Sequence, residues 1–147
     1  MFYILLFFIA LLQNLLFIST KYFIVFSPNI VLALLYCHHL KNQQNFALKG
    51  AVSGFFLDIM FGTLGLNVAI KSFICYLIEI TKLKLIYIPT FISHLIIFSF
   101  FSIFDLFLRY TLLRLKYEVK LDYGIVIISF LIELATFSLF YAIYKRV

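Results

Sequence analysis

A succession of apolar runs constrains this chain more than any other feature. They cover about 2–19, 23–37, 46–61, 66–80, 86–108 and 124–144, rich in Phe, Leu and Ile, with short polar or charged breaks between them. With 65% hydrophobic and 12% charged residues and a mean hydropathy of +1.14, too little polar surface is available to clothe such runs in a soluble globule. A transmembrane β-barrel would alternate polar and apolar residues in segments of about ten, which these runs do not do. The pattern predicts an all-α, polytopic transmembrane bundle of about six helices. It forms one integral-membrane domain over 1–147, with no soluble domain.

The formal charge of +6 does not point to nucleic acid, because the basic residues sit singly or in small clusters at the ends of apolar runs. There they act as topology determinants and anchors to membrane lipid. Cys37 and Cys75 have no metal-type spacing and read as reduced, inert thiols.

The first run lacks basic residues ahead of its apolar core and lacks a small-residue cleavage site, so it reads as a retained helix. Gln13 and Asn14 within it suit interhelical hydrogen bonding, at roughly 0.5–2 kcal/mol each. Ser27-Pro28-Asn29 interrupts the second run, because proline lacks a donor and restricts the residue before it. Either a helix begins near Pro28 after a re-entrant lead-in, or a longer helix kinks there. The stretch 38–45, HHLKNQQN, reads as a solvated loop, since His38 and His39 have no third metal ligand nearby.

In the third run Gly50, Gly54, Asp58 and Gly62 recur every four residues and share one helix face. Small residues let helix backbones approach closely in lipid, and a lone carboxylate on that face is unsuited to acyl chains. Gly62 and Gly65 then break the chain in GTLG, making runs three and four antiparallel neighbours. Gly50, Gly54, Asp58, Gly62 and Gly65 are thus candidate helix-packing or partner-binding residues. Lys71 either pairs with Asp58 across the hairpin or snorkels to the interface.

The fifth run contains His94 and Asp105, and the stretch 109–123 interleaves Arg109, Arg114, Lys116 and Lys120 with Leu and Tyr. That interleaving predicts a basic amphipathic segment at the membrane surface. Glu133, near the middle of the sixth run, reads as a buried group, either partnered or protonated, with His94 and Lys71 as candidate neighbours. Asn67, Lys71, His94 and Glu133 form a candidate buried polar network. Six spans put both termini on one side. Placing them in the cytoplasm puts Lys41, Lys82, Lys84, Lys145 and Arg146 there too, as the positive-inside rule prefers. The basic stretch 109–122 departs from that rule.

The sequence has no phosphate-cradling glycine loop, metal-type Cys/His cluster or nucleophile elbow. Its carboxylates, Asp58, Glu79, Asp105, Glu118, Asp122 and Glu133, are dispersed without the spacing of an acid/base pair. The expectation is a protein that is not an enzyme, with no catalytic residues, metal or cofactor.

The stretch 50–67, G-x-x-x-G-F-x-x-D followed by GTLGLN, resembles the MreD family of bacterial rod-shape-determining membrane proteins. Pro28-Asn29 at the head of an apolar helix is similar to the proline plus Asp or Asn that opens the matching helix of that family. Leu64 stands where the family turn commonly has proline. The resemblance covers most of the chain in length and hydropathy, but only 50–67 is specific.

It implies a non-enzymatic subunit of the cell-wall elongation machinery in the bacterial inner membrane. Such a subunit would bind MreC, a single-span protein. Through MreC it would connect to MreB filaments and the glycosyltransferase–transpeptidase pair that makes peptidoglycan. The family is also structurally similar to the substrate-binding subunits of energy-coupling-factor transporters. That kinship supplies the alternative, a vitamin-binding subunit whose site draws on Asp58, Asn67, Lys71 and Glu133.

Overall fold

The computed structural model describes residues 2–17, 27–41, 45–63, 65–85, 90–115 and 122–146. Among these residues are six α-helices and no strand: α1 (Phe2–Phe17), α2 (Ile30–Lys41), α3 (Phe46–Phe61), α4 (Leu66–Leu85), α5 (Phe91–Arg114) and α6 (Tyr123–Arg146). Two of them are long and apolar enough to cross a membrane, over Phe91–Leu112 and Tyr123–Lys145, while α1 and α2 are apolar but shorter.

The third helix has the bounds its sequence predicts. The fifth does not stop at Leu108: nothing in Arg109-Tyr110-Thr111-Leu112-Leu113-Arg114 breaks a helix, so α5 continues through it. The first part of the expected surface segment is therefore the last turns of α5, and residues 116–121 lie outside the described residues. His38 and His39, expected in a loop, occupy the last turn of α2.

The shortest helix is the centre of the fold. Every residue of α2 from Ile30 to Cys37 is buried, and α2 packs against α1, α3, α5 and α6. A helix that is apolar all round has to be enclosed on all sides. Tyr36 meets the rings of Phe98 on α5 and Phe137 on α6 at 5.8 and 5.6 Å, and those two rings stack at 4.5 Å. One end of the bundle is drawn together by ring contacts: His38 stacks on Phe2 at 3.7 Å and faces Tyr144, while His39 stacks on Phe46. The start of α1, the end of α2, the start of α3 and the end of α6 therefore meet there.

The closest helix pair is the α3–α4 hairpin. A Cβ on Gly54 would lie 2.5 Å from Val68 Cα, and one on Gly50 would lie 2.6 Å from the Lys71 carbonyl oxygen. The missing side chains thus let α3 rest on the backbone of α4, and the glycine face is covered from within the chain. Gly62 ends α3 with φ 67°, its N–H donating to the Asp58 carbonyl at 2.8 Å, and Gly65 follows with φ 86°. Nothing lies within 4 Å of a Cβ at Gly62, so glycine is needed there for its backbone angle and not for space.

These two glycines should respond differently to alanine. Gly62→Ala should cost about 1–2 kcal/mol, the left-handed penalty. Gly54→Ala meets main chain that cannot swing aside, and should cost more than the roughly 1–3 kcal/mol of ordinary overpacking. Reversible unfolding in mixed micelles measures both. Gly54→Ala as stable as the unsubstituted chain would contradict the packing described.

Candidate functional site

The first N–H groups of a helix have no intrahelical acceptor, and α2 begins inside the bundle, where no solvent supplies one. Pro28 has no N–H to satisfy, and the remaining donors are met in turn. Asn29 caps the helix, its Oδ1 accepting from Leu32 N at 3.1 Å. Gln13 Oε1, reaching from α1, accepts from Val31 N at 3.3 Å. Ile30 N donates to the Pro28 carbonyl at 3.1 Å, and Asn29 N donates to Glu133 Oε1 on α6 at 2.6 Å. The helix macrodipole favours an anion at that end.

Around this helix start lies a buried charge cluster. Asp105 on α5 is its hub: Lys71 Nζ on α4 donates to Oδ1 at 2.6 Å, and Asn29 Nδ2 donates to Oδ2 at 2.7 Å. Arg109 Nε also reaches Asp105 Oδ2, at 2.9 Å, one helical turn along α5. Arg109 then holds the chain ahead of the helix, with Nη1 donating to the Ser27 carbonyl at 3.0 Å, while its Nη2 lies 3.8 Å from Glu133 Oε1. The Ser102 hydroxyl donates to Glu133 Oε2. The side chains of Lys71, Asp105, Arg109 and Glu133 are at most 3% exposed. Two cations face two anions, so the cluster is formally neutral. Neutrality matters because an unpaired ion in a low-dielectric interior costs several kcal/mol, whereas a paired and hydrogen-bonded one is tolerated.

A second capping arrangement sits in the α3–α4 hairpin. Gly65 has no side chain to cap α4, and Asp58 of α3 does so instead. Its Oδ1 accepts from Asn67 N at 2.9 Å and Asn67 Nδ2 at 3.1 Å, and its Oδ2 accepts from Val68 N at 3.0 Å. The Thr63 hydroxyl also donates to Oδ1, and Asn67 Nδ2 reaches Thr63 Oγ1 at 2.7 Å. The hairpin is thus closed by Gly50 and Gly54 along its length and by Asp58 at its tip.

The residues singled out from sequence therefore separate into two groups. Gly50, Gly54, Asp58, Gly62, Gly65 and Asn67 belong to the hairpin. Lys71 and Glu133 belong to the charge cluster, Lys71 pairing with Asp105 and not with Asp58. Glu133 is held by Asn29, Ser102 and Arg109, and neither sequence-proposed neighbour supplies those bonds. His94 lies apart, its Nδ1 3.3 Å from the Tyr36 hydroxyl. Sequence reasoning missed Asp105 as the hub, Arg109 as a buried ion and the role of Ser102, whereas the interhelical hydrogen bond expected of Gln13 is present. One signal was present: Ser102, Asp105 and Arg109 are spaced by three and four, which aligns them on one face of an otherwise apolar helix.

Among the described residues no group of three or more His, Cys, Asp or Glu is arranged to hold a metal ion. Comparison of the chain with known protein families, with curated proteins and with solved structures finds no match.

Charge balance in the cluster has a measurable signature. Asp105→Asn leaves both cations against Glu133 alone and should cost about 3–5 kcal/mol, as for other broken buried pairs. Lys71→Met/Asp105→Asn leaves Arg109 balanced by Glu133 and should be more stable than Asp105→Asn. A double variant less stable than the single one, in the same unfolding assay, refutes the account of neutrality.

At the hairpin tip, Asp58→Leu strands the Asn67 and Val68 donors at roughly 1–3 kcal/mol. Asp58→Asn should fall between, because its amide carbonyl still accepts at one edge while its NH₂ confronts a backbone N–H at the other. Equal stability of the Asn and Leu variants would exclude the capping role.

Proposed function

We propose that the six helices form a transmembrane bundle in the bacterial inner membrane. In this reading the chain is an MreD-like, non-enzymatic subunit of the cell-wall elongation complex. It binds an MreC-like single-span protein, and through it supports filament attachment and the placement of the glycosyltransferase–transpeptidase pair.

Membrane embedding is supported by where polarity lies. Ile92, Ile96, Phe100, Ile103 and Phe107 run exposed along α5, while Asp105 and Arg109 of the same helix are buried. On α6, Ile128, Leu131 and Leu139 are exposed and Glu133 is buried. Charges turned inward and bulky apolar residues turned outward suit a lipid solvent. Irregular backbone at Ser27–Asn29 is likewise enclosed by protein.

The observation that carries the family reading is the hairpin. Gly50, Gly54, Asp58, Thr63 and Asn67, the positions that make 50–67 distinctive, act together in one closed unit. That coherence supports treating the motif as a family signature and not as chance spacing. For the solute-binding alternative, Asp58, Asn67, Lys71 and Glu133 would have to converge on a ligand. Instead they are committed to hairpin capping and to charge neutralisation, which favours a scaffold.

Depletion of the protein in its own cells tests the assignment. Rods should round up within a few generations, and an affinity-tagged chain extracted from native membranes should bring down a single-span protein with a periplasmic domain. Normal shape together with lost high-affinity vitamin uptake would overturn the scaffold in favour of a transporter subunit.

A further inference from the structure

Two amides stand side by side in α1 and face different ways. Gln13 turns into the bundle, where its Oε1 accepts from Val31 N at the buried start of α2. Asn14, the next residue, is half-buried on the flank of the helix. Its side chain forms no hydrogen bond with any described residue. Apolar residues share that flank: Tyr3, Phe7 and Leu11 lie within about 80° of Asn14 around the helix axis. Tyr3 and Phe7 are 45% and 40% exposed, and Leu11 is half-buried. In a transmembrane bundle this flank meets acyl chains, which offer an amide neither donor nor acceptor. A polar side chain so placed is suited to a hydrogen bond between helices.

The chemistry of the group narrows what can cover it. Copies of one chain enter a membrane in one orientation, so two of them pair about an axis along the membrane normal. Each residue beside that axis then faces its own counterpart at the same depth. A lysine or aspartate there would meet its own charge, whereas asparagine is self-complementary. Each Nδ2 can donate to the Oδ1 of the other copy, giving two reciprocal bonds. The spacing of Tyr3, Phe7, Leu11 and Asn14, by fours and a three, is that of a helix seam, and one asparagine in an apolar seam fixes its register. The stripe is also held in place from behind, since Phe7 meets Phe56 of α3 with ring centroids 5.5 Å apart.

We infer that this flank of α1 is the contact surface between two copies of the chain, paired about a two-fold axis through reciprocal Asn14 amides. The inference rests on membrane embedding and not on the family assignment. Gln13 and Asn14 thus divide the work, one amide holding α1 to its own bundle and the other holding it to the second copy.

Cross-linking in the membranes of cells that make the full chain tests the contact. Asn14→Cys should give a disulfide-linked dimer on mild oxidation, because residues at a two-fold axis lie within disulfide reach. Leu12→Cys, exposed about 160° away around the helix, should not. The buried Cys37 and Cys75 of the unsubstituted chain set the background. Energy transfer between donor-labelled and acceptor-labelled chains in liposomes, followed as added lipid dilutes them, measures the affinity. Asn14→Leu should weaken pairing about tenfold, as expected for two interhelical bonds, and Asn14→Gln should fall between. The unfolding stability of the single chain should not change in Asn14→Leu, since no bond within the chain is lost. No cross-linked dimer, equal cross-linking at Leu12→Cys, undiminished pairing in Asn14→Leu, or loss of single-chain stability in that variant each overturns the inference. A chain that stays monomeric and loses a different membrane protein on Asn14→Leu assigns the flank to that partner and overturns self-pairing. A chain that fails to enter liposomes at all overturns membrane embedding as well, which separates the two failures.

Discussion

The structure depends on solving one problem: a helix starts in the middle of its own protein. Ser27, Asn29, Ile30, Val31 and Leu32 are all buried, so its first donors sit where water does not reach them. Four separate segments respond. Gln13 comes from α1, Lys71 from α4, Asp105 and Arg109 from α5, and Glu133 from α6. Their ends are far apart in sequence, so a single polar junction fixes the relative placement of most of the bundle.

The same solution recurs at smaller scale in the hairpin. At α4, as at α2, backbone donors at a helix start are satisfied by a carboxylate from another helix. Asp58 works across a short turn, from a helix already locked in place by Gly50 and Gly54. Glu133 works across 104 residues, and its carboxylate is positioned only once α5 and α6 have packed on α2. The hairpin is therefore a local unit and the charge cluster a global one. This difference predicts which would assemble first, since local contacts close with less loop entropy.

It also explains what could be read from the sequence. The bounds of α3, the hairpin and the glycine face follow from spacing within one stretch, where periodicity is informative. The break at Pro28 was legible too, because proline restricts its own backbone and that of the residue before it. The partner of Lys71 was not, since Asp58 and Asp105 are both carboxylates at reachable depth and only packing chooses between them. Arg109 was misread for a related reason. Its neighbours Tyr110, Arg114 and Lys116 make the local composition look interfacial, whereas its i, i−4 relation to Asp105 ties it to the interior. The central position of α2 left no periodic mark, because a helix enclosed on all sides is apolar on all sides.

The buried charges hold the start of α2 against α4, α5 and α6 and so keep the outer faces of the helices in register. Amide hydrogen exchange at Asn29, Val31 and Leu32, resolved residue by residue in nanodiscs, tests this most directly. The account predicts protection comparable to the middle of α2, lost by at least about tenfold in Glu133→Ala at Asn29 first, where the carboxylate accepts directly. Exchange at these amides as fast as in an exposed loop, or protection indifferent to Glu133, would contradict the claim that the buried cluster holds the start of α2.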